Sequence, residues 1–423
     1  MVQKKPDDSK PVRMPVIYMD VARPWFIAII ASLIAPWLVL AAIWFKPIIE
    51  PRTDAVNVAN TGTARFGKWG KLKLFPTVIS PPAELVFTDW GFMRRPTWFF
   101  PGAKTDRVAQ VLQSAGISGS DAANLLAGAQ YEPRIAGMVL SPDPVWVRSL
   151  TPETRARIYH ILAKSMLNVD QTQAFRYPST NPEAWLGSSM ISQHTRQLVE
   201  PLIYRDGGYM LFADIELVRA EIGSDEEIRR LGKDLLRQPT VIARLSVDSA
   251  AELDRIVEYW GRGGRRSEVR PLLESAVGGG ADKCVDVIHL LPQFARNHLY
   301  CYPELSAAEV DKPTVINCLW TSLNFFLPNP DDRFLNAEFA LKTLKESYYV
   351  VEADFELGDI VAFLDEEGNI FHAAVYIADD LVFCKNGISA MAPWTLMSIN
   401  DAKGYYRWRS ENPRLVFHRR KNI

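Results

Sequence analysis

The chain has 423 residues and a hydrophobic content of 48%, enough for two or three domains with a sizeable core. Its 48 basic and 49 acidic residues nearly balance, which argues against general nucleic-acid binding, because that needs a strongly basic surface. Cysteines stand at positions 284, 301, 318 and 384 without the spacing of metal ligands. The sequence therefore predicts no metal or other cofactor, and leaves open one disulfide between Cys284 and Cys301.

The N-terminal 45 residues have the pattern of a membrane anchor. Residues 1–23 are polar and predict a cytoplasmic tail, and residues 24–45 include a run of 21 residues without a charge, Trp25 to Phe45. At about 1.5 Å per residue such a helix spans the roughly 30 Å hydrocarbon core. The alternatives are a buried core helix, which rarely runs this long without a charge, and a signal peptide, whose apolar region is shorter.

The charges around this span predict its orientation. Five basic residues precede it and three follow within about twenty residues, a bias that favours a cytoplasmic N-terminus. These residues are Lys4, Lys5, Lys10, Arg13 and Arg23 before the span, and Lys46, Arg52 and Arg65 after it. The sequence predicts a single-pass protein of the inner (cytoplasmic) membrane whose C-terminal bulk is extracytoplasmic.

The body of the chain divides into three predicted regions. Residues 46–103 are rich in proline, glycine and aromatic residues and predict an irregular linker that contains some β-structure. Residues 104–298 have apolar residues at helical spacing, with helix starts at Thr151-Pro152 and at Ser224, and predict a mostly helical domain. Residues 299–423 predict one apolar helix near Cys318, a second helix, and then an antiparallel sheet, with candidate strands at 358–364, 371–378, 381–386, 404–409 and 414–419.

Cys318 and His372 are the candidate catalytic residues in this last region. Cys318 stands at the predicted start of its helix, where backbone N–H groups favour a thiolate. His372 follows at the head of a predicted strand, from which an imidazole can pair with the thiolate and later donate its proton. Separately, each residue is more often structural than catalytic. Their order along the chain favours the catalytic interpretation.

Three segments together resemble the NlpC/P60 family of papain-like cysteine peptidases, which process bacterial cell-wall peptides. They are Gly358-Asp359-Ile360-Val361-Ala362-Phe363, the strand from His372 to Ile377, and Asn317-Cys318-Leu319-Trp320 where the family usually has Asp-Cys-Ser-Gly. The resemblance covers residues 299–423 and implies a papain-like fold in which Cys318 and His372 form a catalytic dyad.

The family's third catalytic residue orients the histidine. Strict counting from His372 reaches Cys384, a poor hydrogen-bonding group, whereas Asn386 has the same strand parity and an amide oxygen. Asn386 is the predicted third residue.

The fold class predicted overall is α+β, with an N-terminal transmembrane helix, a mostly helical middle domain and a papain-like C-terminal domain with an antiparallel sheet. The predicted function is a membrane-anchored cysteine amidase or endopeptidase whose partners are peptidoglycan or another peptide substrate and the membrane, with no nucleic acid. The alternatives are a catalytically inactive envelope-binding or scaffold protein, and a papain-like acyl or ester hydrolase.

Overall fold

The structure, a computed structural model, describes residues 64–82, 86, 96–179, 181–187, 191–278, 283–303, 316–387 and 392–423. The predicted tail (1–23), the predicted span (24–45) and the first part of the predicted linker lie outside the described residues. Everything described belongs to one compact unit.

Strands and helices are interspersed between residues 64 and 303. The strands are β1 (Arg65–Gly67), β2 (Gly70–Ile79), β3 (Trp98–Phe100), β4 (Gln130–Glu132), β5 (Gly137–Leu140), β6 (Phe175–Tyr177), β7 (Tyr204–Asp206), β8 (Tyr209–Phe212), β9 (Gln238–Ser246) and β10 (Val285–Asp286). The helices are α1 (Thr105–Ser114), α2 (Gly119–Ala127), α3 (Pro144–Arg148), α4 (Pro152–Leu162), α5 (Val169–Thr172), α6 (Pro182–Leu186), α7 (Gln193–Val199), α8 (Ile215–Val218), α9 (Asp225–Leu235), α10 (Leu253–Trp260), α11 (Arg266–Ser275) and α12 (Gln293–His298). Short 3-10 turns occur at Pro133–Ile135, Glu200–Leu202, Arg219–Glu221, Ala250–Glu252 and Val287–Leu290.

Two of the predicted helix starts are confirmed by their capping hydrogen bonds. The Thr151 hydroxyl accepts the N–H of Thr154 at 3.2 Å at the start of α4. The Ser224 hydroxyl accepts the N–H of Glu227, also at 3.2 Å, at the start of α9. A side-chain oxygen in this position satisfies an N–H group that has no partner inside the helix, so these residues fix where the two helices begin.

The middle region, residues 104–298, has more helix than strand, as predicted, but it also contributes strands β4 to β10 to antiparallel sheets that the predicted fold class did not include. With β1, β2 and β3 of the predicted linker these strands form a four-stranded sheet of order β1-β2-β9-β10 and two three-stranded sheets, β3-β5-β4 and β6-β8-β7. Strands of three or four residues are too short to give a clear alternation in the sequence. The longest pair, β2 with β9, joins residues about 170 positions apart, for example Leu74 with Ala243.

The transmembrane helix in the predicted fold class is not supported. Among the helices that the structure describes, none has both the length and the apolar character needed to cross a membrane. The corrected fold class, for the described part of the chain, is an α+β protein with several antiparallel sheets.

The C-terminal region builds a six-stranded antiparallel sheet. After α13 (Cys318–Leu323) come a 3-10 turn (Asp332–Leu335), α14 (Ala337–Ser347), β11 (Tyr348–Val351), β12 (Ile360–Leu364), β13 (Ile370–Ala378), β14 (Leu381–Lys385), β15 (Trp394–Ser398), α15 (Ile399–Tyr405) and β16 (Arg414–Arg420). The strand order is β11-β16-β12-β13-β14-β15. The predicted strand at 404–409 is wrong. Ser398 accepts the N–H of Asp401 at 2.9 Å and caps α15, and the last residues of this helix fall in that segment.

The two faces of this sheet carry different residues, because side chains alternate along each strand. One face, the α13 face, packs against that helix: Phe383 meets Phe325 at 6.0 Å between ring centroids, and Trp394 donates its indole N–H to the Thr321 hydroxyl at 3.0 Å. The opposite face carries an apolar cluster, covered by α15, that includes Phe363, Ala374, Tyr376, Val382, Cys384, Met397 and Ala402.

The outer edge of the sheet, strand β15, is covered by other parts of the chain. The backbone N–H and carbonyl of Trp394 bond to Cys301 and Tyr300, at 3.1 and 2.9 Å. The backbone carbonyl and N–H of Leu396 both bond to the Thr240 hydroxyl of β9, at 2.8 and 3.1 Å. The middle region and the C-terminal sheet therefore meet along this edge.

Candidate active site

Cys318 is the first residue of α13, as the sequence predicts. Asn317 precedes it in an extended conformation, and its side-chain oxygen accepts the N–H of Trp320 at 2.9 Å. Asparagine is among the best residues at this capping position, which explains why the helix starts at Cys318. Since α13 has only six residues, the sulfur is influenced by nearby N–H groups more than by a helix dipole.

Backbone N–H groups lie close to the Cys318 sulfur. Burial raises the pKa of the thiol above its ordinary value, and hydrogen bonds from the N–H groups of Ala373 and Leu319 oppose that rise. The net effect keeps the thiol protonated near neutral pH. A reaction at this sulfur therefore needs a base close by.

The Ala373 N–H is available because β13 and β14 separate at this point. Their pairing stops at Val375 with Phe383. Continued in register, it would place Ala373 opposite Lys385 and His372 opposite Asn386. In a continuous ladder the Ala373 N–H would bond to β14, but here it bonds to the Cys318 sulfur instead.

His372 lies on β13, as predicted, but faces away from α13. Its ring stacks on Tyr406 at 4.4 Å and packs against Phe363 at 5.2 Å, on the opposite face of the sheet. The side chain is fully buried, and neither ring nitrogen has a hydrogen-bond partner among the described residues. Burial lowers the pKa of His372 to about 3. The predicted Cys318–His372 hydrogen bond is therefore not formed in this arrangement.

Asn386 shares the opposite face with His372, as the parity argument predicts, but bonds to other groups. Its amide nitrogen donates to the Met397 sulfur at 3.4 Å, and its amide oxygen accepts from the Cys384 thiol at 3.5 Å. Cys384 is fully buried, which raises its pKa to about 12. Neither candidate for the third residue contacts the imidazole by a hydrogen bond.

Lys385 is the residue that the sequence analysis missed. It lies on the α13 face with no exposed surface, and its ammonium donates to the Gly387 carbonyl at 3.1 Å. Burial lowers the pKa of Lys385 to about 7, against the opposing effect of Cys318. Strand alternation was the available signal, since Lys385 has the same parity as the buried Phe383.

The remaining cysteines contribute no second site. All four are free thiols, with Cys284 and Cys301 exposed, which answers the question of a disulfide between them. The comparisons with known proteins give no relative: no family model, curated protein or solved structure matches the chain.

Proposed function

We propose that the chain is a cysteine hydrolase, an amidase or endopeptidase similar to the NlpC/P60 enzymes, with Cys318 as its nucleophile. The observation that carries the proposal is the position of the Cys318 sulfur, at a helix start where the N–H groups of Leu319 and Ala373 bond to it. Hydrogen bonds to the charged form of a thiol favour the thiolate, which is the reactive species.

The chemistry is acyl transfer in two steps. The thiolate attacks an amide carbonyl, the amine leaves with a proton, and water then hydrolyses the thioester. Backbone N–H groups near the sulfur are suited to hold the oxyanion of each tetrahedral intermediate. The specific dyad of Cys318 with His372 remains a prediction, and it requires the imidazole to reach the α13 face.

The substrate class rests on the family resemblance, and digestion of purified peptidoglycan by the full chain tests it. Release of peptide fragments by the wild type, lost in Cys318→Ala and in Cys318→Ser, is the expected result. Ester substrates supplied in parallel separate an amidase from an acyl or ester hydrolase. Equal release by the wild type and by Cys318→Ala would contradict a nucleophilic role for this residue.

A second candidate function, an inactive binding protein with a peptidase-like region, is favoured by two observations. Burial raises the pKa of Cys318, and the His372 ring lies on the other face of the sheet. A thiol-selective probe distinguishes the two functions. An activated Cys318 reacts faster near neutral pH than the exposed thiols of Cys284 and Cys301, whereas a structural one reacts more slowly.

A further inference from the structure

Lys385 is a fully buried amine on the α13 face of the sheet, where it donates to the Gly387 carbonyl at 3.1 Å. Its ammonium lies 6.0 Å from the centroid of the Trp394 ring, which is opposite it on β15. Removing an ammonium from water is costly, and a buried titratable group beside a candidate nucleophile marks a candidate functional residue.

The same tryptophan connects Lys385 with the helix of Cys318. The Trp394 indole donates to Thr321 at 3.0 Å. Thr321 is three residues after Cys318 and therefore on the same side of α13. Lys385 and Cys318 are near enough for their charges to interact.

Two other titratable groups also interact with the charge of Cys318, the Cys384 thiol and the Tyr406 hydroxyl. Burial raises the pKa of both, so both stay protonated near neutral pH and neither is a base there. His372 and Cys384 belong to the opposite face of the sheet. Tyr406 stacks on His372 and accepts the Gly387 N–H on its hydroxyl at 2.9 Å. His298 packs on the Trp394 ring at 4.6 Å between centroids, and its Nδ1 lies 2.7 Å from the Phe294 carbonyl.

We propose that Lys385, rather than His372, is the base that takes the proton of the Cys318 thiol. The inference rests on the proposed hydrolase function. The S–H bond breaks and an N–H bond forms, which gives a thiolate and an ammonium. The sulfur electron pair then forms the bond to the carbonyl carbon, and the ammonium returns its proton to the nitrogen of the leaving amine as the C–N bond breaks. Lys385, neutral again, accepts a proton from the water that hydrolyses the thioester.

The acidity of Lys385 suits this role. Burial lowers its pKa to about 7, and a base works best when its pKa is near the operating pH. At neutral pH a substantial fraction of the side chain is the free amine, which is the form that accepts a proton.

The test measures how the reactivity of Cys318 depends on pH in the full chain. Cys284→Ser and Cys301→Ser remove the exposed thiols from all proteins compared. Iodoacetamide labelling of Cys318 is followed by mass spectrometry, with the buried Cys384 as an internal control. Three variants are compared in this background: Lys385→Met, Lys385→Arg and His372→Phe.

Lys385→Met should slow labelling at neutral pH by about tenfold or more, because the loss of an adjacent positive charge raises a thiol pKa by about one unit or more. Lys385→Arg keeps the charge and should keep the labelling, but it should lose hydrolysis because a guanidinium does not release its proton. This second variant decides the matter if Lys385→Met does not fold.

Two results would overturn the inference. One is a labelling profile of Lys385→Met that matches the wild type at every pH. The other is a slowing in His372→Phe equal to that expected for Lys385→Met. Labelling needs no substrate, so a wild type that hydrolyses nothing would refute the proposed function while the labelling still decides the role of Lys385.

Discussion

Replacing His372 by phenylalanine should weaken the dependence of stability on pH. The imidazole has no hydrogen-bond partner among the described residues, and burial lowers its pKa to about 3 in the folded chain. An exposed histidine in the unfolded chain has a pKa of about 6.5. Between these values the unfolded chain binds a proton that the folded chain does not, so the free energy of unfolding falls as the pH falls.

The size of the effect follows from the two pKa values. A pKa difference of one corresponds to about 1.4 kcal/mol, so acidification from about pH 7 to about pH 4.5 should cost the wild type about 2.5 kcal/mol through His372 alone. His418, whose pKa burial lowers to about 4, adds a contribution of its own. That contribution is present in both the wild type and His372→Phe and cancels when they are compared.

Urea unfolding followed by tryptophan fluorescence at several pH values measures this difference. Phe363→Leu, a substitution against the same ring, is the control: it lowers stability by a similar amount at every pH, because no proton is involved. A stability difference between the wild type and His372→Phe that shifts in favour of the wild type as the pH falls would refute the reasoning. That result would mean that His372 is charged in the folded chain, as an ion pair with the Cys318 thiolate requires.

Three further substitutions test the packing around the site and in the middle region. Thr321→Val removes the acceptor of the buried Trp394 indole and should cost about 1–3 kcal/mol in urea unfolding, with Thr321→Ser as the control that keeps the hydroxyl. Asn317→Ala should lower thermal stability by about 1 kcal/mol through loss of the helix cap, whereas Asn317→Ser should not. In the wild type the Asp214 carboxylate lies 2.5 Å from the buried Arg155 guanidinium. Asp214→Asn leaves this guanidinium without its anion and should lower the free energy of unfolding by about 3–5 kcal/mol. The double change Arg155→Met with Asp214→Leu should recover most of this loss.

Local signals in the sequence were sufficient to place the elements of the candidate site. Asparagine before an apolar run predicts the helix start at Cys318, and the apolar runs at 371–378 and 381–386 predict β13 and β14 to within one residue at each end. The aromatic run near 404–409 led to the wrong prediction of a strand, because the helix that the Ser398 cap begins overrides the β propensity of these residues.

The direction of the His372 side chain was not predictable in the same way. Alternation places His372 on the same face as Ala374 and Tyr376, whose side chains belong to the apolar cluster covered by α15. Because successive residues of β13 are buried, both of its faces are covered, and the sequence does not show which face α13 covers. The predicted dyad depended on that face.

The hydroxyl of Thr240 has a consequence for self-association. An unpaired edge strand can recruit a strand from another molecule and so begin aggregation. At Leu396 this hydroxyl satisfies both the donor and the acceptor of the β15 edge, and at Trp394 the backbone of Tyr300 and Cys301 does the same. A fragment beginning after residue 303 would lack all of these partners, and its exposed edge would favour intermolecular β-pairing over the monomer.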